Sequence, residues 1–350
     1  MKKADRGPLP APIGAPLAAI YGRIVARRAT RFDAGVGVVE PPLPVICVGN
    51  LSVGGVGKTP MARWVAQRLL DAGHRPAIAL RGYRARGGVC DEAEEHRTAL
   101  PGALIVVNPD RARAVGELAG LPASTRPTCV VLDDGFQHRR LARTLDVVLI
   151  DARRSPWRDR LLPAGWLREP PSALARAGAV VLTHADGADD DELADLSSRI
   201  GRLIPPGVPI ARARHTWGGV SVDTPGRPAR AEPVDWLGGR CVAVVCAIGE
   251  PGQFLTMVRD AGASVSESVA VRDHSGFSRR RLEALTDRLD PERGDALVST
   301  AKDRPRLRAA LPPGWTGPIA YPVLRMDVCD GADTLGRVIL AAAGPVADSE

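Results

Sequence analysis

The run PVICVGNLSVGGVGKT, from Pro44 to Thr59, constrains the fold of this chain more than any other stretch. An apolar segment, Pro44 to Gly49, reads as a strand, and Met61 to Asp71 that follows reads as a helix. Between them, Gly54, Gly55 and Gly57 let backbone N–H groups turn inward, and a helix beginning there adds partial positive charge. Such a turn cradles phosphate. Lys58 is placed to reach β- and γ-phosphates, and the Thr59 hydroxyl to ligate magnesium. The expected nucleotide loop is therefore Ser52, Val53, Gly54, Gly55, Val56, Gly57, Lys58 and Thr59, although Ser52 stands where the usual pattern has glycine. A glycine-rich strand-to-helix turn with an incidental lysine is the bland alternative, and the strand–loop–helix context argues against it.

Further apolar runs at Ala77–Leu80, Thr128–Asp133, Asp146–Asp151 and Ala179–Thr183 alternate with helical patterns. Nearly continuous apolar strands separated by helices imply a parallel sheet covered on both faces, a RecA-like P-loop α/β fold. Val130-Val131-Leu132-Asp133-Asp134 ends one strand with two carboxylates. Strand carboxyl ends face the ligand crevice in such sheets, so Asp134 joins Thr59 as an expected magnesium ligand. By itself an aspartate pair there often only caps a turn. A polar, proline-rich stretch at 205–233 reads as a domain connection, after which Cys241–Ile248, Val265–Val271 and Ala296–Thr300 resume the α/β pattern. The expected division is a helix over 1–35, a kinase-sized P-loop domain over 36–215 and a smaller α/β domain over 216–350.

In that first segment Leu17, Ile20, Tyr21, Ile24 and Val25 recur at helical spacing, extended by Phe32, with Arg23, Arg27, Arg28 and Arg31 mostly on the other side. A basic amphipathic helix of this kind can lie in an anionic membrane interface or pack on its own protein, and periodicity leaves both open. No run of 18 apolar residues exists, and Met1-Lys2-Lys3-Ala4-Asp5-Arg6 leads into prolines, so a cytoplasmic protein is expected. None of the six cysteines forms a CxxC pair, which argues against a zinc site or a disulfide framework. The net charge of +7 favours anionic partners only weakly.

Loops of this sort serve kinases, GTPases and ATPases that position partners. No Asn-Lys-x-Asp run is present, and Val53 stands where dimerising switch ATPases carry lysine. A set of motifs in one order instead resembles the tetraacyldisaccharide 4′-kinase family of lipid A biosynthesis. The set comprises Val48 to Pro60, Arg81-Gly82-Tyr83, Asp133-Asp134-Gly135-Phe136-Gln137-His138-Arg139, Leu161 to Pro170, Asp273-His274 and Thr300-Ala301-Lys302-Asp303. The likeness runs from about Leu17 to Asp303, and Ser52 is the family's usual residue.

The resemblance implies transfer of the ATP γ-phosphate, with Mg2+, to the 4′-hydroxyl of a tetraacyldisaccharide 1-phosphate, giving lipid IVA. It implies Asp91 as base with His274 from the second domain as its partner, Glu92 beside them as a magnesium ligand, and Arg111 and Arg168 as cleft cations. Gln137, His138 and Arg139 would order the loop after the aspartates. Cys90 and Ala93 replace the family's glycine and proline around Asp91-Glu92, leaving Glu92 and Asp110 as other carboxylates able to act as base, and Ala301 replaces a common glutamate. The partners implied are a lipid-linked disaccharide and the anionic cytoplasmic face of the inner membrane, with no nucleic acid and no obligate protein partner. A P-loop kinase of another sugar or amphiphilic acceptor, and a nucleotide-switched membrane-recruiting ATPase, are the alternatives.

Overall fold

The computed structural model describes residues 7–82, 91–249, 251–271 and 276–346. In chain order its elements are α1 (Ala11–Asp33), β1 (Val45–Asn50), α2 (Lys58–Asp71), β2 (Pro76–Leu80), α3 (Asp91–Ala99), β3 (Leu104–Val107), α4 (Arg111–Ala119), β4 (Cys129–Asp133), β5 (Leu145–Asp151), β6 (Ala179–Thr183), α5 (Asp190–Gly201) and β7 (Ile210–Asp223). They continue as β8 (Arg230–Glu232), β9 (Cys241–Cys246), α6 (Pro251–Asp260), β10 (Ser264–Ala270), α7 (Arg279–Thr286), β11 (Ala296–Ser299), α8 (Arg304–Ala310), β12 (Ile319–Asp330) and α9 (Ala332–Ala343). The chain folds into two compact units, Met1–His215 with Met326–Glu350, and Thr216–Arg325.

The first unit is built on a parallel sheet in the order β7-β6-β5-β1-β4-β2-β3. Every residue of β1, β2, β4 and β6 is buried, which is why these strands read as unbroken apolar runs. Successive side chains point to opposite faces. Ile46, Val48 and Val131 pack with Val65 and Leu69 of α2 and with Leu335 and Ile339 of α9. Val45, Cys47, Val130 and Leu132 pack on the other face with Val115 and Leu118 of α4 and Leu193 and Leu196 of α5. β1 lies between β5 and β4, where the strand order changes direction. A crevice opens at the carboxyl ends of strands at such a point, and the glycine-rich loop emerges there.

The second unit has β9 paired in parallel with β10 and β11, and β11 in turn with β12. Val242 and Val244 pack with Phe254 and Val258 of α6, while Ala243 and Val245 pack with Leu282 and Leu285 of α7. The stretch 205–233, read as a connection, contains the long strand β7 and the short β8, which pairs antiparallel with its outer part. The strand is camouflaged by charge. In its first part Ala211 and Ala213 are buried, whereas Arg212 and Arg214 reach Asp190 and Asp327, so the buried positions there offer only small side chains to a hydropathy pattern.

α1 divides its faces in a way that periodicity left open. Gly14 and Gly22 approach Ala164 and Leu161 closely, and the Tyr21 hydroxyl donates to the Arg168 carbonyl at 2.9 Å. Ile13, Leu17, Ile20 and Ile24 instead point outward, 57, 43, 52 and 60% exposed. Arg27, Arg28 and Arg31 stand three, four and seven residues after Ile24, which puts them on its face rather than opposite it. The apolar set is thus two sets, one facing the protein and one facing solvent beside the arginines. Among the described residues no helix is long and apolar enough to cross a membrane.

Candidate active site

The loop after β1 is held from below and along its length. Asn50 Nδ2 donates to the Ser52 carbonyl at 2.7 Å, and Gln137 Nε2 to the Asn50 carbonyl at 2.8 Å. The Val53 N–H donates to the Trp166 carbonyl at 2.8 Å, and the Arg168 N–H to the Leu51 carbonyl at 2.7 Å. Leu161–Pro170 is therefore a backbone splint for the phosphate loop. Gly57, the last residue before α2, has φ of 86°, and a side chain there would collide with the His215 imidazole and the Met326 methyl. Only glycine meets both demands. A side chain at Gly49 would likewise run into Phe136, so the aspartate loop packs directly on the end of β1.

Lys58 opens α2, and its Nζ lies 3.3 Å from the Gly54 carbonyl, to which it donates, and 3.8 Å from Asp134 Oδ1. The two aspartates take separate places. Asp133, buried at the end of β4, accepts from His96 Nε2 at 3.1 Å and lies near the Thr59 hydroxyl. Burial works to raise its carboxyl, but the His96 bond and charge, the nearby Thr59 hydroxyl and the Lys58 charge outweigh that and hold it below the ordinary range. Asp134 has φ of 55°, and its carboxylate accepts from Arg168 Nη1 at 3.0 and 3.1 Å. The magnesium role is expected of Thr59, Glu92 and Asp134; here Asp133 lies near Thr59, and Asp134 pairs with Arg168 and Lys58.

Arg111, almost fully buried, donates to the Asn108 carbonyl at 2.7 Å and to the Asp133 carbonyl at 3.4 Å. Desolvation lowers its guanidinium from the ordinary value, against the pull of Asp133. Arg168 is more open and also donates to Gln137 Oε1 at 3.2 Å. Arg139 reaches the Ala29 carbonyl and Asp33, tying the aspartate loop to α1. His138 is driven below its usual value by burial and by the nearby Arg111 charge.

α3 brings carboxylates toward this loop. Asp91 is its first residue, and its side chain lies outside the described residues, as do Tyr83, Cys90, Asp273 and His274 entirely. Glu92 keeps solvent access at its surface. Desolvation by the surrounding protein, joined by the negative charge of Asp133, Glu95 and Asp134, nevertheless raises its carboxyl above the ordinary range. Asp110 accepts from the Ala112 and Arg113 N–H groups as the cap of α4, and those bonds lower its carboxyl. Among the described residues no three His, Cys, Asp or Glu side chains gather as a closed metal cage. Magnesium does not need one, because it takes few protein ligands and fills its octahedron with water and phosphate oxygens. The Thr59 hydroxyl beside a carboxylate held in its charged form is a donor set that fits.

The family model for tetraacyldisaccharide-1-P 4′-kinase matches residues 11–342. The chain belongs to this family. It is 37% identical to the tetraacyldisaccharide 4′-kinase of Anaeromyxobacter dehalogenans strain 2CP-1, over 96% of this chain and 92% of that one. The enzyme of the same name from Geobacter metallireducens is 34% identical, over 89% and 92% of the two chains. Among solved structures, LpxK from Aquifex aeolicus in complex with ATP aligns with a TM-score of 0.69 and 28% identity, covering 94% of this chain and 98% of that one.

For a tetraacyldisaccharide 4′-kinase family member, the array joins parts that sequence named separately. The loop, Lys58, both aspartates, Arg168 and Glu92 form one electrostatically connected group, with Arg111 bracing the strand end. His96 escaped the sequence reading. Its only signal is position, since Ala93 and His96 of α3, with Leu100 just past its end, form a buried stripe, and histidine is out of character there.

Proposed function

We propose that the protein transfers the γ-phosphate of ATP to the 4′-hydroxyl of a tetraacyldisaccharide 1-phosphate, making lipid IVA in lipid A biosynthesis. The observation that carries this is the pairing of Lys58 with Asp134, with Thr59 near Asp133, in a chain matched by the family model over residues 11–342. A sugar hydroxyl is a poor nucleophile and the reaction is mostly positioning and charge stabilisation. The loop N–H groups and Lys58 hold the β- and γ-phosphates. Arg168 supplies positive charge where the transferring group gathers negative charge. Asp91, oriented by His274, takes the hydroxyl proton as the bond to phosphorus forms, and ADP leaves. Bound at Thr59, Glu92 and Asp134, with Asp133 beside Thr59, magnesium would supply charge neutralisation of the phosphate oxygens. The test is incubation of purified protein with ATP, Mg2+ and tetraacyldisaccharide 1-phosphate, followed by identification of the product. A product carrying new phosphate at the 4′-position is expected; ATP hydrolysis without an acceptor phosphate points to the switch-ATPase alternative.

The protein works at the surface of an anionic membrane, the cytoplasmic face of the inner membrane, through the outward face of α1. That reading is supported by four exposed aliphatic side chains in one row with arginines beside them, since the row enters the interface while guanidinium groups meet lipid phosphates. Replacing Ile20 and Ile24 together by glutamine lowers partition onto anionic vesicles about tenfold or more, given the apolar burial forfeited. Co-sedimentation at low and high salt checks this, and the arginine contribution declines as salt rises. Unchanged partition at both salt concentrations means that α1 serves only to pack on the protein.

A further inference from the structure

A feature of this molecule that the kinase reading does not use is His96, buried against Asp133. His96 is 0% exposed on α3, its Nε2 lies 3.1 Å from Asp133 Oδ2, and Asp133 is the carboxylate beside Thr59. The same helix opens with Asp91 and Glu92. A second polar tie, Arg63 Nη2 to Glu95 Oε2 at 2.7 Å, joins α3 to α2, the helix whose first residues are Lys58 and Thr59. α3 is only nine residues long, so its own propensity does little to fix where it lies.

The pair is costly as packing. His96 occupies the middle of a stripe whose other members are Ala93 and Leu100, where an aliphatic residue would fill the space without polar atoms to satisfy. Its Nδ1 is buried, and no hydrogen bond reaches it among the described residues. A buried polar atom without a partner costs about 1–3 kcal/mol, so a leucine here would be the more stable choice if packing were the only demand. Two results follow from keeping the histidine. Asp133 Oδ2 is held by a fixed donor while the carboxylate stands near Thr59. And the helix bearing the acceptor-side carboxylates is locked to the strand bearing the nucleotide-side carboxylate.

We propose that His96 is a positioning residue for phosphoryl transfer, setting Asp133 against Thr59 and fixing the first turn of α3 relative to the phosphate loop. The proposal rests on the kinase reading of this site. Because the donor is Nε2, the side chains that can replace it are defined. The amide nitrogen of glutamine falls near Nε2 and reaches Asp133; that of asparagine falls near Nδ1 and does not; leucine fills the space and donates nothing.

The experiment compares His96→Gln, His96→Asn and His96→Leu with wild type in steady-state transfer, in calorimetric titration with ATP with and without Mg2+, and in thermal unfolding. The Leu and Asn variants are expected to lose about 30-fold or more in kcat, a magnitude ordinary for a misplaced catalytic group. Their ATP affinity without magnesium stays within about threefold of wild type, and the gain in ATP affinity on adding magnesium shrinks about fivefold. His96→Gln recovers both quantities to within about fivefold of wild type, as a restored second-sphere hydrogen bond would. Wild-type kcat and an unchanged magnesium gain in the Asn variant overturn the proposal. So does equal loss in Gln and Asn variants accompanied by equal lowering of the unfolding midpoint, which is the signature of packing. If the Leu variant does not fold, the Gln–Asn pair alone decides. If wild type binds ATP but phosphorylates no acceptor, the kinase reading fails separately, and the magnesium gain still tests His96.

Discussion

Lys58→Ala lowers single-turnover phosphoryl transfer by about a thousandfold and leaves the fold intact. The size follows from what is lost, a cation aimed at the β- and γ-phosphates in a site where each oriented positive group contributes about two to three powers of ten. The intact fold follows from where Lys58 sits. Among the described residues its ammonium group bonds the Gly54 carbonyl and pairs with the Asp134 carboxylate, and the latter remains paired with Arg168. A partly exposed pair of this kind contributes about 1 kcal/mol or less to stability. The stem belongs to α2, whose hold on the sheet comes from Val65 and Leu69 further along. Rapid-quench transfer from labelled ATP and a thermal unfolding curve check both halves. Turnover within a factor of two of wild type would remove the phosphate-loop assignment, and with it the enzyme reading.

What sequence made legible follows the range over which each feature is determined. The phosphate loop is local: three glycines, a lysine and a threonine between a strand and a helix, all within one turn of chain. β1, β4, β5 and β6 announced themselves because a strand buried on both faces must be apolar throughout. The first part of β7 hid because its buried positions hold alanines beside arginines that are satisfied by distant aspartates. The return of Met326–Glu350 to the first unit has no local signature either, since β12 and α9 resemble any strand and helix until packed.

The site shows the same divide. Asp133-Asp134 was visible as a pair, but which carboxylate meets Thr59 depends on the positive φ of Asp134, a backbone state sequence does not disclose for aspartate. Leu161–Pro170 was visible as a motif, but its service as a splint rests on hydrogen bonds to Leu51 and Val53, more than 100 residues away in the chain. α1 was visible as a helix with an apolar side, but the split between Tyr21 inward and Ile24 outward is set by what Arg168 and Leu161 offer it. His96 is the extreme case, because its meaning lies wholly in Asp133 across the core.

The base is where these two kinds of information meet, and it yields the second large effect. Asp91→Asn is expected to lower kcat by about 10²–10⁴, the range general-base catalysis supplies, with ATP affinity unchanged. His274→Ala is expected to lose a comparable factor, and the double variant little more, because a base and its orienting partner act as one unit. The two neighbouring carboxylates are separable by their surroundings. Asp110 is committed to the first turn of α4, where Asp110→Asn keeps a good cap and leaves turnover near wild type. Glu92 is the stronger competitor, since its carboxyl is already raised toward the working pH by desolvation and by Asp133, Glu95 and Asp134. A raised carboxyl is a base only above its shifted value, so if Glu92 takes the proton, activity falls as pH drops while still above the ordinary glutamate range. With Asp91 as base and Glu92 at the metal, Glu92→Gln instead weakens magnesium dependence and leaves more residual transfer than Asp91→Asn. Pre-steady-state transfer across pH on the three single variants distinguishes these cases. A dead Glu92→Gln beside a nearly normal Asp91→Asn moves the base by one residue along α3, and a silent His274→Ala in the same series removes the proposed role of that histidine and favours a different acceptor.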